Sequence, residues 1–163
     1  MLRKLLRKVL RRGQEELRYI GIDYGDSRIG IALSDPLGLI ASPDRIIDSS
    51  RSRKKIIFEL CDLIREKEVK TAVVGYPRNM NGTEGARVEV TNSFCEDLRK
   101  RCPDLTIVKW DERLTSVAAD RAMREMNVSQ SHKGVNDMLA AVFILQGYLD
   151  SLKNEKKEEN QSK

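Results

Sequence analysis

The sequence predicts an α/β domain built on a mixed five-stranded sheet. Two strand-like runs, YIGIDY at 19–24 and RIGIALS at 28–34, are separated by a hairpin-sized Gly-Asp-Ser turn. Beyond residue 50 the apolar residues recur at helical spacing, and helices then alternate with single strands. The first observation predicts an antiparallel start to the sheet. The second predicts parallel strands joined by right-handed crossovers.

The other elements follow from local sequence in the same way. A third strand is predicted within residues 39–47, with an interruption near Ser42 and Pro43. A helix is predicted over 51–67, and the run TAVVG at 71–75 predicts a strand buried on both faces. The remaining elements are a helix over 84–101, the strand LTIVKW at 105–110, and helices near 115–126 and 136–152. The predicted order is therefore βββαβαβαα.

The positive charge of the chain is concentrated at its N-terminus. The net charge is +5, and residues 1–18 carry seven Lys or Arg against two Glu, whereas residues 19–163 hold 23 charges of each sign. Leucines and a valine recur on one helical face, so residues 1–17 are predicted to form a basic amphipathic extension. Nucleic acid, an anionic membrane surface and an organellar presequence are each compatible with it, as is a solvated terminus.

A single domain is expected over residues 18–152. Residues 153–163 are charged and nearly free of apolar side chains, so we expect a disordered tail. No apolar run approaches the roughly 20 residues that cross a bilayer, so stable membrane insertion is not expected. The three cysteines match no zinc or redox motif, which favours a reducing, cytoplasmic location.

Three acidic residues are candidates for one site. Asp23 ends the first predicted strand, Glu112 follows the fifth, and Asp137 opens the last helix. Ligands of open α/β sheets bind at the carboxyl ends of the parallel strands, so the first two acids belong at that edge. If the last helix packs beside the first strand, all three carboxylates converge. They would then repel one another unless one is protonated or divalent cations are bound.

Such a cluster has a known chemistry. Carboxylate oxygens favour Mg²⁺ or Mn²⁺. Two such ions about 4 Å apart hydrolyse phosphodiesters, one activating water and the other stabilising the leaving oxygen. Such a cluster, if it forms, is compatible with a metal-dependent nuclease.

Each acid also has a purely structural interpretation. Asp23 could be satisfied by a turn bond before Gly25, by pairing with Arg28, or by water at an exposed strand end. The other two acids could simply charge the first turns of helices. The single histidine, His132, cannot form a zinc site and is better explained as a solvated loop residue. The P-loop, dinucleotide-binding and serine-hydrolase motifs are absent.

Four segments, in order, closely resemble the YqgF family, which is also called RuvX. They cover about residues 19–149 and read GIDYGDSRIGIALSD, VVGYPRNMNGTEG, DERLTS and NDMLAAVFILQGYL. The resemblance implies a ribonuclease H-like fold with strand order 3-2-1-4-5. It also implies a bacterial cytoplasmic nuclease that processes the 5′ end of pre-16S rRNA, with Holliday junction resolution as the older proposal.

The resemblance also implies roles for individual residues. The catalytic carboxylates, which would bind two ions of Mg²⁺ or Mn²⁺, would be Asp23, Glu112 and Asp137. Nucleic-acid contacts are expected from Arg78, Asn79, Arg113 and Lys133. Pre-16S rRNA or the ribosome is the expected partner, branched DNA is the alternative, and a homodimer is left open. The basic extension, residues 1–16, lies outside the resemblance.

Two other classes of function remain open on the sequence. A strand reading G-I-D-x-G also begins ATP-binding domains of the actin and sugar-kinase type, but those proteins enclose the nucleotide with two such domains and this chain supplies one. A non-catalytic RNA- or ribosome-binding module would carry the same acids without using them. A nuclease assay separates the second class from an enzyme.

Overall fold

The computed structural model describes residues 18–77, 85–112 and 133–161, without the side chains of 133–136. The strands in these ranges are β1 (Arg18–Tyr24), β2 (Arg28–Ser34), β3 (Ala41–Asp48), β4 (Val69–Tyr76) and β5 (Thr106–Asp111). The helices are α1 (Arg53–Glu66), α2 (Ala86–Arg101) and α3 (Lys133–Gln161). The basic extension and the helix predicted near 115–126 lie outside the described residues.

The strands form one mixed sheet in the order β3-β2-β1-β4-β5. β1 pairs antiparallel with β2, and β2 pairs antiparallel with β3. β1 runs parallel to β4, and β4 runs parallel to β5. The first hairpin closes through the amide of Gly25, which donates to the carbonyl oxygen of Arg28 at 3.0 Å. The predicted strand order and the antiparallel start are confirmed.

The interruption predicted in the third strand is a bulge. Arg45 pairs with Ile31 and Pro43 pairs with Ala32, so Asp44 is an extra residue between two adjacent pairs. β3 is an edge strand and has no neighbouring strand on its outer side. Proline, which lacks an amide hydrogen, is tolerated in edge strands. The strand therefore continues from Ala41 to Asp48.

The sheet is covered on both faces. On one face α1 and α2 pack against alternate residues of the strands, including Ile20 and Ile22 of β1. On the other face α3 contributes the buried residues Ala141, Ile144, Leu145 and Leu149. The domain thus has three layers, and α3 forms one layer over the strand that carries Asp23.

Glycines in the sheet allow α3 to approach it closely. A Cβ atom on Gly21 of β1 would lie 2.7 Å from the carbonyl oxygen of Ala141. A Cβ atom on Gly30 of β2 would lie 2.0 Å from the carbonyl oxygen of Asp137. The packing of the last helix beside the first strand is therefore confirmed. The room for it comes from glycines of the sheet as well as from Ala141.

The predicted disordered tail is wrong for residues 153–161, because α3 continues through Gln161. Adding residues to a helix that tertiary packing has already nucleated costs little, and the Lys, Glu and Gln of this segment have high helix propensity. Lys153 anchors the segment, since its ammonium lies 3.5 Å from Asp150 and donates to the carbonyl oxygen of Leu39 at 3.2 Å. Despite the length of α3, no helix in the described ranges is apolar enough to cross a bilayer.

Two of the three cysteines meet through helix packing. Cys61 of α1 and Cys102, at the end of α2, form a disulfide with their Cα atoms 6.4 Å apart. Cys95 is a buried free thiol. This disulfide does not fit the reducing location that the cysteine pattern favours. Spacing along the chain does not predict the pair, because only the packing of the two helices brings the two residues together.

Candidate metal centre

Asp23, Glu112 and Asp137 line one open cleft at the carboxyl edge of the sheet. Its volume is about 470 Å³. Asp23 is the penultimate residue of β1, Glu112 directly follows β5, and Asp137 lies near the start of α3. Three acids that are far apart in sequence therefore face one space. The rest of the lining is contributed by Gly25, Asp26, Ser27, Arg28 and Arg87.

Asp23 lies in an environment that disfavours its charge. Burial is the largest cause, and the negative charges of Glu112 and Asp137 add to it, so that the pKa of Asp23 is raised to about 7. Arg87 opposes the rise without cancelling it. Two neighbouring carboxylates and partial burial thus leave Asp23 half protonated near neutral pH in the metal-free cleft.

Two of the structural interpretations of Asp23 are not supported by this geometry. The turn before Gly25 is closed by a backbone hydrogen bond to Arg28, without a side chain. The guanidinium of Arg28 pairs with Asp137, at 3.3 Å from Nε to Oδ2. Arg28 therefore pairs with Asp137 and not with Asp23.

Glu112 is placed over a glycine of the neighbouring strand. Burial raises the pKa of Glu112, Asp111 adds to the rise, and Arg87 opposes it. A Cβ atom on Gly75 of β4 would lie 2.6 Å from Oε1 of Glu112 and 2.7 Å from Cδ1 of Ile144, so a larger residue there would have to displace the ends of these two side chains. The end of β4 thus shapes the floor under Glu112.

Arg87 belongs to the cleft and was not singled out from the sequence. It lies in the first turn of α2, and its guanidinium donates to the carbonyl oxygen of Tyr24 at 3.4 Å. Its charge lowers the pKa of both Asp23 and Glu112. The available signal was weak, because Arg87 stands two residues beyond the motif VVGYPRNMNGTEG, at the start of a predicted helix.

The donor set suits a divalent cation in its chemistry. It offers hard carboxylate oxygens whose mutual repulsion a cation would relieve. Within the described ranges, however, no three Asp, Glu, His or Cys side chains are grouped closely enough to hold one ion. Asp137 instead pairs with Arg28. Joint coordination of an ion by Asp23, Glu112 and Asp137 therefore stays a prediction, in which the ion would compete with Arg28 for Asp137.

The residues predicted to contact nucleic acid cannot be placed in this cleft. Arg78, Asn79 and Arg113 lie outside the described residues, and so does His132. The backbone of Lys133 begins α3, but its side chain is not among those described. Their contacts stay predictions.

The family follows from a comparison with known sequences. A family model described as "RuvX: Holliday junction resolvase" matches residues 17–151. The chain belongs to the RuvX family. The resemblance of the four sequence motifs is thereby confirmed.

Two relatives of this RuvX chain are similar to it over nearly their whole length. A protein of Acetivibrio thermocellus is 52% identical over 136 residues, which are 83% of this chain and 96% of the relative. A protein of Ruminiclostridium cellulolyticum is 49% identical over 145 residues, which are 86% of this chain and 99% of the relative. Both carry the name "Putative pre-16S rRNA nuclease".

Solved structures similar to this RuvX chain confirm the ribonuclease H-like fold. The yeast mitochondrial Holliday junction resolvase Ydc2 superposes with a TM-score of 0.58 at 13% identity, covering 96% of this chain and 91% of Ydc2. RuvC of T. thermophilus, solved with a Holliday junction substrate, gives a TM-score of 0.52 at 11% identity, covering 83% of this chain and 96% of RuvC. At such identities the likeness concerns the fold alone.

Proposed function

We propose that this RuvX chain is a metal-dependent endonuclease that processes the 5′ end of pre-16S rRNA. The observation that carries the proposal is the shared cleft of Asp23, Glu112 and Asp137. Membership of the family supports the nuclease class, and the name of the relatives supports the substrate. Such a substrate implies a cytoplasmic location.

The three carboxylates would hold Mg²⁺ or Mn²⁺, as two ions. The ions would supply an activated water and stabilise the leaving oxygen of the phosphodiester. The protein contributes the position of each acid. β1 fixes Asp23, the end of β5 fixes Glu112, and the close packing of α3 on β2 fixes Asp137.

Two arginines give the cleft fixed positive charge toward an anionic substrate. Arg87 is held by the carbonyl oxygen of Tyr24, and Arg28 is held by Asp137. When Asp137 turns to a cation, the guanidinium of Arg28 is released. A released guanidinium can donate two hydrogen bonds to one phosphate group. Metal binding and phosphate binding would thus favour each other.

Two alternative functions are compatible with the same cleft. The family description supports Holliday junction cleavage as the second candidate. A non-catalytic ribosome-binding module has no support from the family description or from the name of the relatives. We therefore rank it below both nuclease functions.

A nuclease assay with a matched control tests the proposal. Asp26 lines the same cleft but is exposed and stands outside the three acids. With Mg²⁺ or Mn²⁺, the wild type and Asp26→Asn should cut an RNA spanning the 5′ end of 16S rRNA, whereas Asp23→Asn and any sample in EDTA should not. Cleavage of a four-way DNA junction in preference to this RNA would favour the resolvase function. Equal cleavage by Asp23→Asn would overturn the site.

A further inference from the structure

We propose that a second, basic groove between α1 and α2 binds a single-stranded stretch of the substrate outside the cleft. The inference rests on the proposed function, because it assumes a nucleic-acid substrate. The groove has a volume of about 480 Å³ and lies on the sheet face opposite α3.

The groove concentrates positive charge on a domain that has none in excess. Four cations line it against one acid, Asp97, and they are Arg53, Lys54, Lys100 and Arg101. Residues 19–163 as a whole hold equal numbers of positive and negative charges, so this imbalance is local. Arg53 forms an ion pair with Asp97, at 3.3 Å. The other three cations of the groove are therefore the ones proposed to contact a ligand. A polyanion complements such a surface.

An exposed aromatic ring lies among these cations. The side chain of Phe58 is 37% exposed and is not part of the buried core on either face of the sheet. The guanidinium of Arg101 lies over the ring at 4.0 Å from its centroid. Aromatic rings and guanidinium planes are the surfaces on which unpaired bases stack, and the stacking tolerates any base. The combination therefore fits a single strand better than a duplex, whose bases are already stacked.

The groove is connected to the cleft through Tyr24. The guanidinium of Arg53 lies 5.6 Å from the centroid of the Tyr24 ring. Tyr24 directly follows Asp23, and its carbonyl oxygen accepts a hydrogen bond from Arg87 of the cleft. A strand that leaves the cleft past Tyr24 therefore meets Arg53 at the entrance of the groove.

The test is binding of a fluorescein-labelled U12 RNA to the full chain in EDTA, measured by anisotropy over a range of salt. Lys100→Ala/Arg101→Ala should weaken binding at least tenfold at low salt. It should also reduce the salt slope by about 1.4, since two phosphate contacts are lost at roughly 0.7 each. Phe58→Leu should weaken binding roughly tenfold by removing a stacking surface while keeping an apolar side chain, and Phe58→Trp should retain it.

A charge-matched control removes two exposed cations elsewhere. Lys156→Ala/Lys157→Ala, near the end of α3, should bind like the wild type. Wild-type binding by both Lys100→Ala/Arg101→Ala and Phe58→Leu would overturn the groove, as would a 12-base-pair RNA duplex that binds as tightly as U12.

Hydrolysis of bis(p-nitrophenyl) phosphate with Mn²⁺ separates this proposal from the function itself. The small ester does not extend beyond the cleft, so the groove variants should hydrolyse it at the wild-type rate. If the wild type cleaves RNA but the groove variants bind and cleave RNA as it does, the groove alone is overturned. A wild type that neither binds nor cleaves RNA overturns both proposals.

Discussion

Asp23 stands at a strand end where its charge is disfavoured, with a pKa raised from 3.8 to about 7. In the unfolded chain the carboxyl group loses its proton near pH 4, whereas in the folded protein it keeps the proton until about pH 7. The folded state therefore holds more protons across this window. The free energy of unfolding of the metal-free protein should fall as the pH rises through it.

Asp23→Asn should raise the stability of the metal-free protein. At pH 7.5 in EDTA we expect a gain of roughly 1 to 4 kcal/mol, the upper value being the whole shift converted at 1.36 kcal/mol per unit. The gain should shrink toward pH 4, where the wild-type carboxyl is neutral as well. Thermal melting at both pH values measures this. A variant that melts lower than the wild type at pH 7.5 would indicate a structural aspartate.

Arg28 forms an ion pair with Asp137 in the metal-free cleft, with Nε 3.3 Å from Oδ2. Arg28→Gln should therefore strengthen Mn²⁺ binding, because the cation no longer competes with the guanidinium. RNA cleavage should nevertheless fall, since the arginine is also proposed to position phosphate. Arg51→Gln is the matched control, because it removes an arginine that is paired with Glu59 and does not line the cleft. Equal Mn²⁺ affinity in Arg28→Gln and the wild type would argue against this competition.

Secondary-structure elements were largely readable from the sequence where one residue pattern decides them. Alternating and continuous apolar runs predicted all five strands, and helical spacing predicted α1, α2 and the start of α3. The interruption predicted near Ser42 and Pro43 is a bulge at Asp44, because a proline in a strand indicates an irregularity without showing its geometry. The helical tail was missed because charge composition alone does not show that an existing helix is being extended.

The contact between β2 and α3 determines where Asp137 lies. Gly30→Ala would place a Cβ atom 2.0 Å from the carbonyl oxygen of Asp137, so α3 must move. We expect a loss of roughly 1 to 3 kcal/mol in stability and a larger relative loss of RNA cleavage. Ile31→Val is the control, because this buried neighbour of Gly30 packs on the face of the sheet that α1 and α2 cover. It should cost about 1 kcal/mol and leave cleavage unchanged. If the two variants affected cleavage equally, the packing of α3 on β2 would not determine the geometry of the site.

At the scale of the whole molecule, part of the site could not be predicted from the sequence. The three acids could be predicted because each ends or begins an element at the same edge of an α/β sheet. The pairing of Arg28 with Asp137 and the entry of Arg87 depend on how α3 and α2 pack on the sheet. No local pattern records those contacts. The basic groove likewise exists only after α1 and α2 are brought together.

The N-terminal extension carries four of the five net positive charges of the protein. Deleting residues 1–16 removes six Lys or Arg and two Glu. If the extension contacts phosphates, the deletion should flatten the salt dependence of RNA binding, because fewer counterions are released. Anisotropy of U12 RNA at several salt concentrations measures the slope. An unchanged slope and affinity would leave the extension as a solvated or targeting segment.

Calorimetric titration with Mn²⁺ tests most directly whether the three acids form one metal centre. The wild type and Asp26→Asn should bind the ion with equal affinity. Asp23→Asn, Glu112→Gln and Asp137→Asn should each lose at least tenfold in affinity, because each removes a charged ligand from a shared site. Wild-type Mn²⁺ affinity in all three variants would contradict the account.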